Sequence, residues 1–131
     1  MRTPQIILVA GLMVLFVLLV TPQRHPYAYN AAHEVTIAGV VEDVRDFYCP
    51  VNGAVGAHLI IATDTGKVQV HVAPVQFLDN QQRHFAAGDR VEVVGSRVMF
   101  QGHQDVIART IARNGEAVPL RKTDGKPLWM E

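Results

Sequence analysis

Between Lys67 and Met99 the apolar residues alternate with polar ones, lose that rhythm, and then regain it. Val68, Val70 and Val72 interleave with Gln69, His71 and Ala73, the period of a strand with one buried face. Pro74 suits the first turn of a helix, where its missing N–H costs nothing. Phe77, Leu78 and Phe85 share an arc of a helical wheel, which predicts a helix of about three turns ended by Gly88. Arg90 to Val94 then alternates again. Upstream, Val35, Ile37 and Val41 fall on one face of a strand and Val40 and Val44 on the other, so the buried face changes near Gly39. Tyr48 to Gly56 is rich in turn formers and predicts a loop. Ala57 to Thr63 is a further strand, running into the tight-turn sequence Asp64-Thr65-Gly66-Lys67. With Thr65 and Gly66 as the central turn residues, Leu59, Ile61 and Thr63 lie opposite Val72, Val70 and Val68 as a core face. His58 and His71 then become diagonal neighbours on the other face. Downstream, Phe100 to Gln104 is a turn and Asp105 to Arg113 a strand broken by Asn114-Gly115. A small hairpin around Asp124-Gly125 follows, with Trp129 packing it onto the body of the domain.

Strand, strand, strand, helix, strand, strand is the order of a five-stranded OB-fold barrel whose helix plugs one end between the third and fourth strands. A long first strand that bends at a glycine and serves both halves of the sheet fits that closure. The expected class is therefore all-β with one short helix. Its parts are a barrel over residues 34–113 and a C-terminal hairpin or tail over 114–131. Residues 1–22 precede it as a hydrophobic transmembrane helix or signal segment, and 23–33 as a linker. In the N-terminal segment, Ile6 to Val20 carry no polar side chain. Fifteen residues reach about 22 Å, against a hydrocarbon core of about 30 Å. The sequence after Val20, Thr21-Pro22-Gln23-Arg24-His25-Pro26, is a poor signal-peptidase substrate, which favours an uncleaved anchor. The expected location is a bacterial inner membrane, crossed once, with the barrel in the periplasm.

Charge changes the functional expectation more than the fold. Twelve basic and twelve acidic residues cancel. Such a chain lacks the positive surface of a protein that binds nucleic acid through phosphates. Between Ala57 and Ala73 there is also no aromatic side chain on which a base would stack. No phosphate loop, nucleophile elbow, zinc-protease helix or c-type haem motif is present. The single cysteine, Cys49, excludes an intrachain disulfide.

The stretches GAHLIIATDTGKVQVHVAP, GDRVEVVGSRV and LRKTDGKPLW, placed after a hydrophobic N-terminus, resemble a family of small, mostly uncharacterised exported or membrane-anchored bacterial OB-fold proteins. In architecture the chain is also similar to the haem chaperone of cytochrome c maturation, a short anchor followed by a periplasmic OB barrel. That family attaches haem through His-x-x-x-Tyr after the barrel; here the last histidine is His103 and the last tyrosine Tyr48.

Two functional expectations follow. The first is a non-catalytic accessory subunit without a cofactor, bound to the membrane and to other membrane or envelope proteins. Its contact surface would be the half-apolar face of His58, Ile60, Ala62, Gln69, His71 and Ala73. The second is a protein that handles a transition metal or haem. Cys49, His58, His71 and His103 converge on the surface where OB folds bind ligands, and thiolate and imidazole suit zinc or copper.

Overall fold

A computed structural model describes residues 27–130. No helix among them is long and apolar enough to cross a membrane, and the expected anchor lies outside the described residues. Six strands and one short α-helix follow one another: β1 (Glu34–Cys49), β2 (Ala54–Thr63), β3 (Gly66–Pro74), α1 (Val75–Asn80), β4 (Arg90–Phe100), β5 (His103–Arg113) and β6 (Glu116–Pro119).

The strands run in the order β3-β2-β1-β4-β5-β6, and β3 also pairs with β5, which closes the first five into an OB-like barrel. Closure depends on strands that change partner along their length. The first half of β1 pairs with β4, its second half with β2, and the register shifts between Val41 and Asp43. Gly39 sits at this crossing. A Cβ there would lie 2.1 Å from the Ala62 carbonyl oxygen, so only glycine lets the two strands approach. β5 divides its length in the same way: Val106 and Ile107 pair with β3, and Thr110 to Arg113 with β6. The barrel is filled by Val41, Leu59, Ile61, Val70, Val72, Val93, Ala108 and Ile111, each at most 1% exposed. Burial of a side chain of that size contributes about 1.5–3 kcal/mol.

Several elements depart from expectation for local reasons. The helix is six residues long and does not reach Phe85. It stops because Gln82 takes a left-handed conformation, φ 51°. Arg83 N–H then donates to Leu78 O and Gln82 N–H to Asp79 O, the paired bonds of a Schellman ending. Phe85 still reaches the core, from a loop held by Arg113, which donates to the His84 carbonyl and lies over the Phe85 ring. The β2–β3 turn is centred on Asp64-Thr65, because the Thr63 hydroxyl donates to Gly66 O at 2.7 Å and accepts from Thr65 N–H. Leu59 therefore faces Val70, Ile61 faces Val68, and His58 faces His71 directly. A slip of two residues keeps every side chain on its expected face and changes only its neighbours. The loop expected over Tyr48–Gly56 is shorter, since Tyr48 pairs with Val55 and Cys49 with Ala54. Asn114-Gly115, with φ of 51° and 86°, does not end the sheet; it is the two-residue turn into β6.

The part of the expected linker that is described, residues 27–33, lies on the barrel. Asn30 N–H donates to Ser96 Oγ, and its side chain caps a single 3-10 turn, Ala31–His33. Tyr29 hydroxyl donates to Glu34 Oε1 at 2.5 Å, and Arg109 Nε donates to the same oxygen at 2.6 Å. The Tyr29 ring lies against Gly125 and 5.8 Å from the guanidinium of buried Arg121, which also lies 4.9 Å from the Trp129 ring and donates to the Gly125 carbonyl at 2.9 Å. Trp129 thus packs the C-terminal segment onto the barrel, also meeting Phe77.

Candidate metal centre

Alternation predicts that the face of β2 and β3 opposite the core is an outer surface. Instead His58 and His71, on that face, are both 0% exposed. They are covered by aromatic side chains brought from other strands. Phe47 of β1 stacks flat on His58, with ring centroids 3.7 Å apart and planes 7° from parallel. Phe100, at the end of β4, meets His71 edge-on at 4.6 Å. Cys49, Val98, Phe100 and Ile107 are buried with them yet stand apart from the barrel core. The long hairpins β1–β2 and β4–β5 thus enclose a second, smaller interior, and this one is polar.

Its hydrogen bonds set the imidazole tautomers. His71 Nε2 lies 2.8 Å from Asp105 Oδ2, which also accepts from Gln69 Nε2 at 2.9 Å. Asp105 is 2% exposed and sits two residues before Ile107, the strand partner of His71. With Nε2–H donated to the carboxylate, His71 turns Nδ1 to the Cys49 sulfur, 3.3 Å away. His58 Nδ1 donates to the Arg45 carbonyl at 3.3 Å. That leaves His58 Nε2 as a lone pair, and among the described residues nothing hydrogen-bonds to it although it is buried. Such an orphan costs about 1–3 kcal/mol.

One donor atom each from Cys49, His58 and His71 lies within 4.8 Å of the other two. Bonds of about 2.0–2.3 Å to a common ion hold ligand atoms roughly 3.5–3.8 Å apart, so the three need draw in by only about 1 Å. A carboxylate behind a ligating histidine is the usual device for fixing its tautomer and orientation. Burial pushes the Cys49 thiol up, and the neighbouring His58 and His71 imidazoles outweigh it, bringing its pKa down to about 6. For His71, burial opposes the charged ring, but Asp105 and then Cys49 outweigh burial and leave its pKa raised. The sulfur is therefore a ready thiolate ligand.

Of the four metal-ligand candidates from sequence, three meet and one does not: His103 is at the exposed start of β5, outside the cluster. The six-residue contact face is not an open surface. His58, His71 and Ala73 are fully buried, and Ile60, Ala62 and Gln69 half-buried. Asp105 escaped the sequence reading because an aspartate at the start of a strand looks like a turn residue. Its meaning comes only from the β3–β5 closure.

Residues 33–118, about two thirds of the chain, match the MamS/MamX magnetosome protein family, and the chain belongs to it. No curated protein matches. Among solved structures, one that matches is described as "Structure and Conformational Change of a Replication Protein A Heterotrimer Bound to ssDNA". It is 17% identical over 70% of this chain, with a TM-score of 0.42; the chain spans 61% of that protein's length.

Proposed function

We propose that this member of the MamS/MamX family is a non-catalytic accessory module of a magnetosome membrane, and that it holds one divalent transition-metal ion on Cys49, His58 and His71. The observation that carries the metal is the buried His58 Nε2, which has no hydrogen-bond partner among the described residues, on a ring that offers one nitrogen within 4.8 Å of donors from Cys49 and His71. Charge selects the ion. A Cys49 thiolate and the Asp105 carboxylate place two negative charges in one dry cluster, and a divalent cation brings the sum to zero. A monovalent ion would leave a net charge buried, which is costly. Sulfur with imidazole favours zinc or copper(II) over magnesium or calcium. Haem does not suit this cluster, since Phe47 and Phe100 occupy the space that a porphyrin would need against the two histidines.

The full chain, extracted in mild detergent and purified without chelator, is expected to carry about one equivalent of zinc or copper. His58→Ala and His71→Ala should abolish it. Wild-type protein that stays metal-free when offered both ions would overturn the assignment.

A docking role is supported by a different observation. At the tip of the β1–β2 hairpin, Tyr48 and its cross-strand partner Val55 are 69% and 52% exposed, beyond the reach of the core. An exposed aromatic beside a β-branched residue suits a protein partner. Tyr48→Glu should release proteins that co-purify with the chain while leaving its metal in place. Unchanged co-purification would remove the hairpin tip from consideration.

A further inference from the structure

Three protein donors leave one position of a four-coordinate ion unfilled. The loop between β1 and β2 holds a side chain suited to it. Asn52 N–H and Gly53 N–H both return to the Cys49 carbonyl, at 3.1 and 2.8 Å, so the chain turns back as soon as it has placed the cysteine. Both ends of the Asn52 carboxamide, Oδ1 and Nδ2, are buried and find no hydrogen-bond partner among the described residues. An amide orphaned at both ends is rare, because each end forfeits about 1–3 kcal/mol.

Position follows from the sheet register. A Cβ built on Gly56 would stand 2.2 Å from Asn52 Nδ2, so the carboxamide occupies the space a side chain at 56 would fill. Gly56 pairs with Phe47, and Phe47 stacks on His58, so this space belongs to the face of the metal cluster. On that face, His58 is two residues along the same strand and Cys49 is the diagonal neighbour across the ladder. Both separations are about 7 Å between Cβ positions. Gly56 thus makes room for an amide on the same face as two of the three donors, with no hydrogen-bond partner among the described residues.

We infer that Asn52 Oδ1 is the fourth ligand, completing a closed set of two nitrogens, one sulfur and one oxygen around a tetrahedral zinc ion. This rests on the metal reading above and adds to it. Zinc is borderline-soft and takes sulfur, nitrogen and oxygen donors together in a tetrahedral site. The same arrangement places Asn52, on a half-exposed loop, as the element that closes over an ion once it has entered.

The test is zinc affinity of the full chain in detergent, measured by competition with a chromophoric chelator, alongside the visible spectrum of its cobalt(II) form. Asn52→Ala is expected to weaken zinc by about 10–100-fold or more, at least the cost of losing an outer-shell partner, and to change the cobalt ligand-field bands. Asn52→Asp, which keeps an oxygen donor, should restore both. Gly56→Ala, which displaces the amide without removing it, should reproduce the Asn52→Ala loss. If wild type binds zinc and Asn52→Ala matches it within twofold with an unchanged cobalt spectrum, this inference fails and the three-ligand reading stands. Wild type that takes up copper(II) but not zinc or cobalt overturns this inference alone; wild type that takes up none of the three overturns both.

Discussion

Replacing Asp105 separates orientation of the metal ligands from simple burial of polar groups. Its Oδ2 accepts from His71 Nε2 at 2.8 Å and Gln69 Nε2 at 2.9 Å, with the His71 and Asp105 side chains 0% and 3% exposed. Asp105→Asn keeps the shape and one oxygen able to accept both bonds, but removes the charge that makes His71 Nδ1 a better donor to metal. Zinc affinity should fall about 10–100-fold, which is about 1.4–2.8 kcal/mol, with little change in the stability of the metal-free protein. Asp105→Ala adds a second loss. It strands the buried His71 N–H at about 1–3 kcal/mol, with a smaller loss at half-buried Gln69, and for a domain of this size each kcal/mol lowers Tm by about 4–8 °C. Chelator competition measures the first quantity and thermal denaturation in EDTA the second. Asp105→Asn with wild-type zinc affinity would refute the claim that the carboxylate tunes His71. Asp105→Ala with an unchanged apo Tm would refute the claim that the cluster is dry.

Gly39→Ala forces a methyl to within 2.1 Å of the Ala62 carbonyl oxygen and 2.8 Å of Ile61 Cγ2. It should cost about 1–3 kcal/mol or more in chemical denaturation; an unaffected midpoint would contradict the close crossing of β1 and β2. Tyr29 is expected to titrate late, because burial first and the Glu34 hydrogen bond second raise its pKa from 10.0 to about 12. The folded state then holds the phenolic proton more tightly than the unfolded state. The contribution is complete below pH 10 and declines as pH rises toward 12. Ultraviolet titration of wild type against Tyr29→Phe should show the late phenol missing from the variant; identical late limbs would contradict the docking of residues 27–33 on the barrel.

The alternation of Leu59, Ile61, Val70 and Val72 announced the core, because a buried strand face leaves a period-two signature wherever its register falls. Register itself was not legible in the same way. It turned on the Thr63 hydroxyl closing the turn one residue early, and on an irregularity between Ala57 and His58. The helix is shorter than its pattern suggests because Phe77, Leu78 and Phe85 share an arc of the wheel, whereas chain reversal at Gln82 depends on a backbone conformation that glutamine seldom takes. Cys49, His58 and His71 could be grouped from sequence as one ligand surface. Their burial could not, because the covering rings, Phe47 and Phe100, come from strands whose overlap with β2 and β3 exists only in the closed barrel. His103 shares the loop before β5 with that ligand surface by sequence, but the β5 residue that meets His71 is Asp105, two places further along.

Cobalt(II) titration of the full-length chain in detergent, wild type beside Cys49→Ser, asks whether the buried cysteine is a metal ligand. Wild type is expected to bind one cobalt per chain with an intense thiolate-to-cobalt charge-transfer band, displaced by zinc and absent from Cys49→Ser. Failure of wild type to bind cobalt, or a band of equal strength in Cys49→Ser, would contradict that ligand assignment.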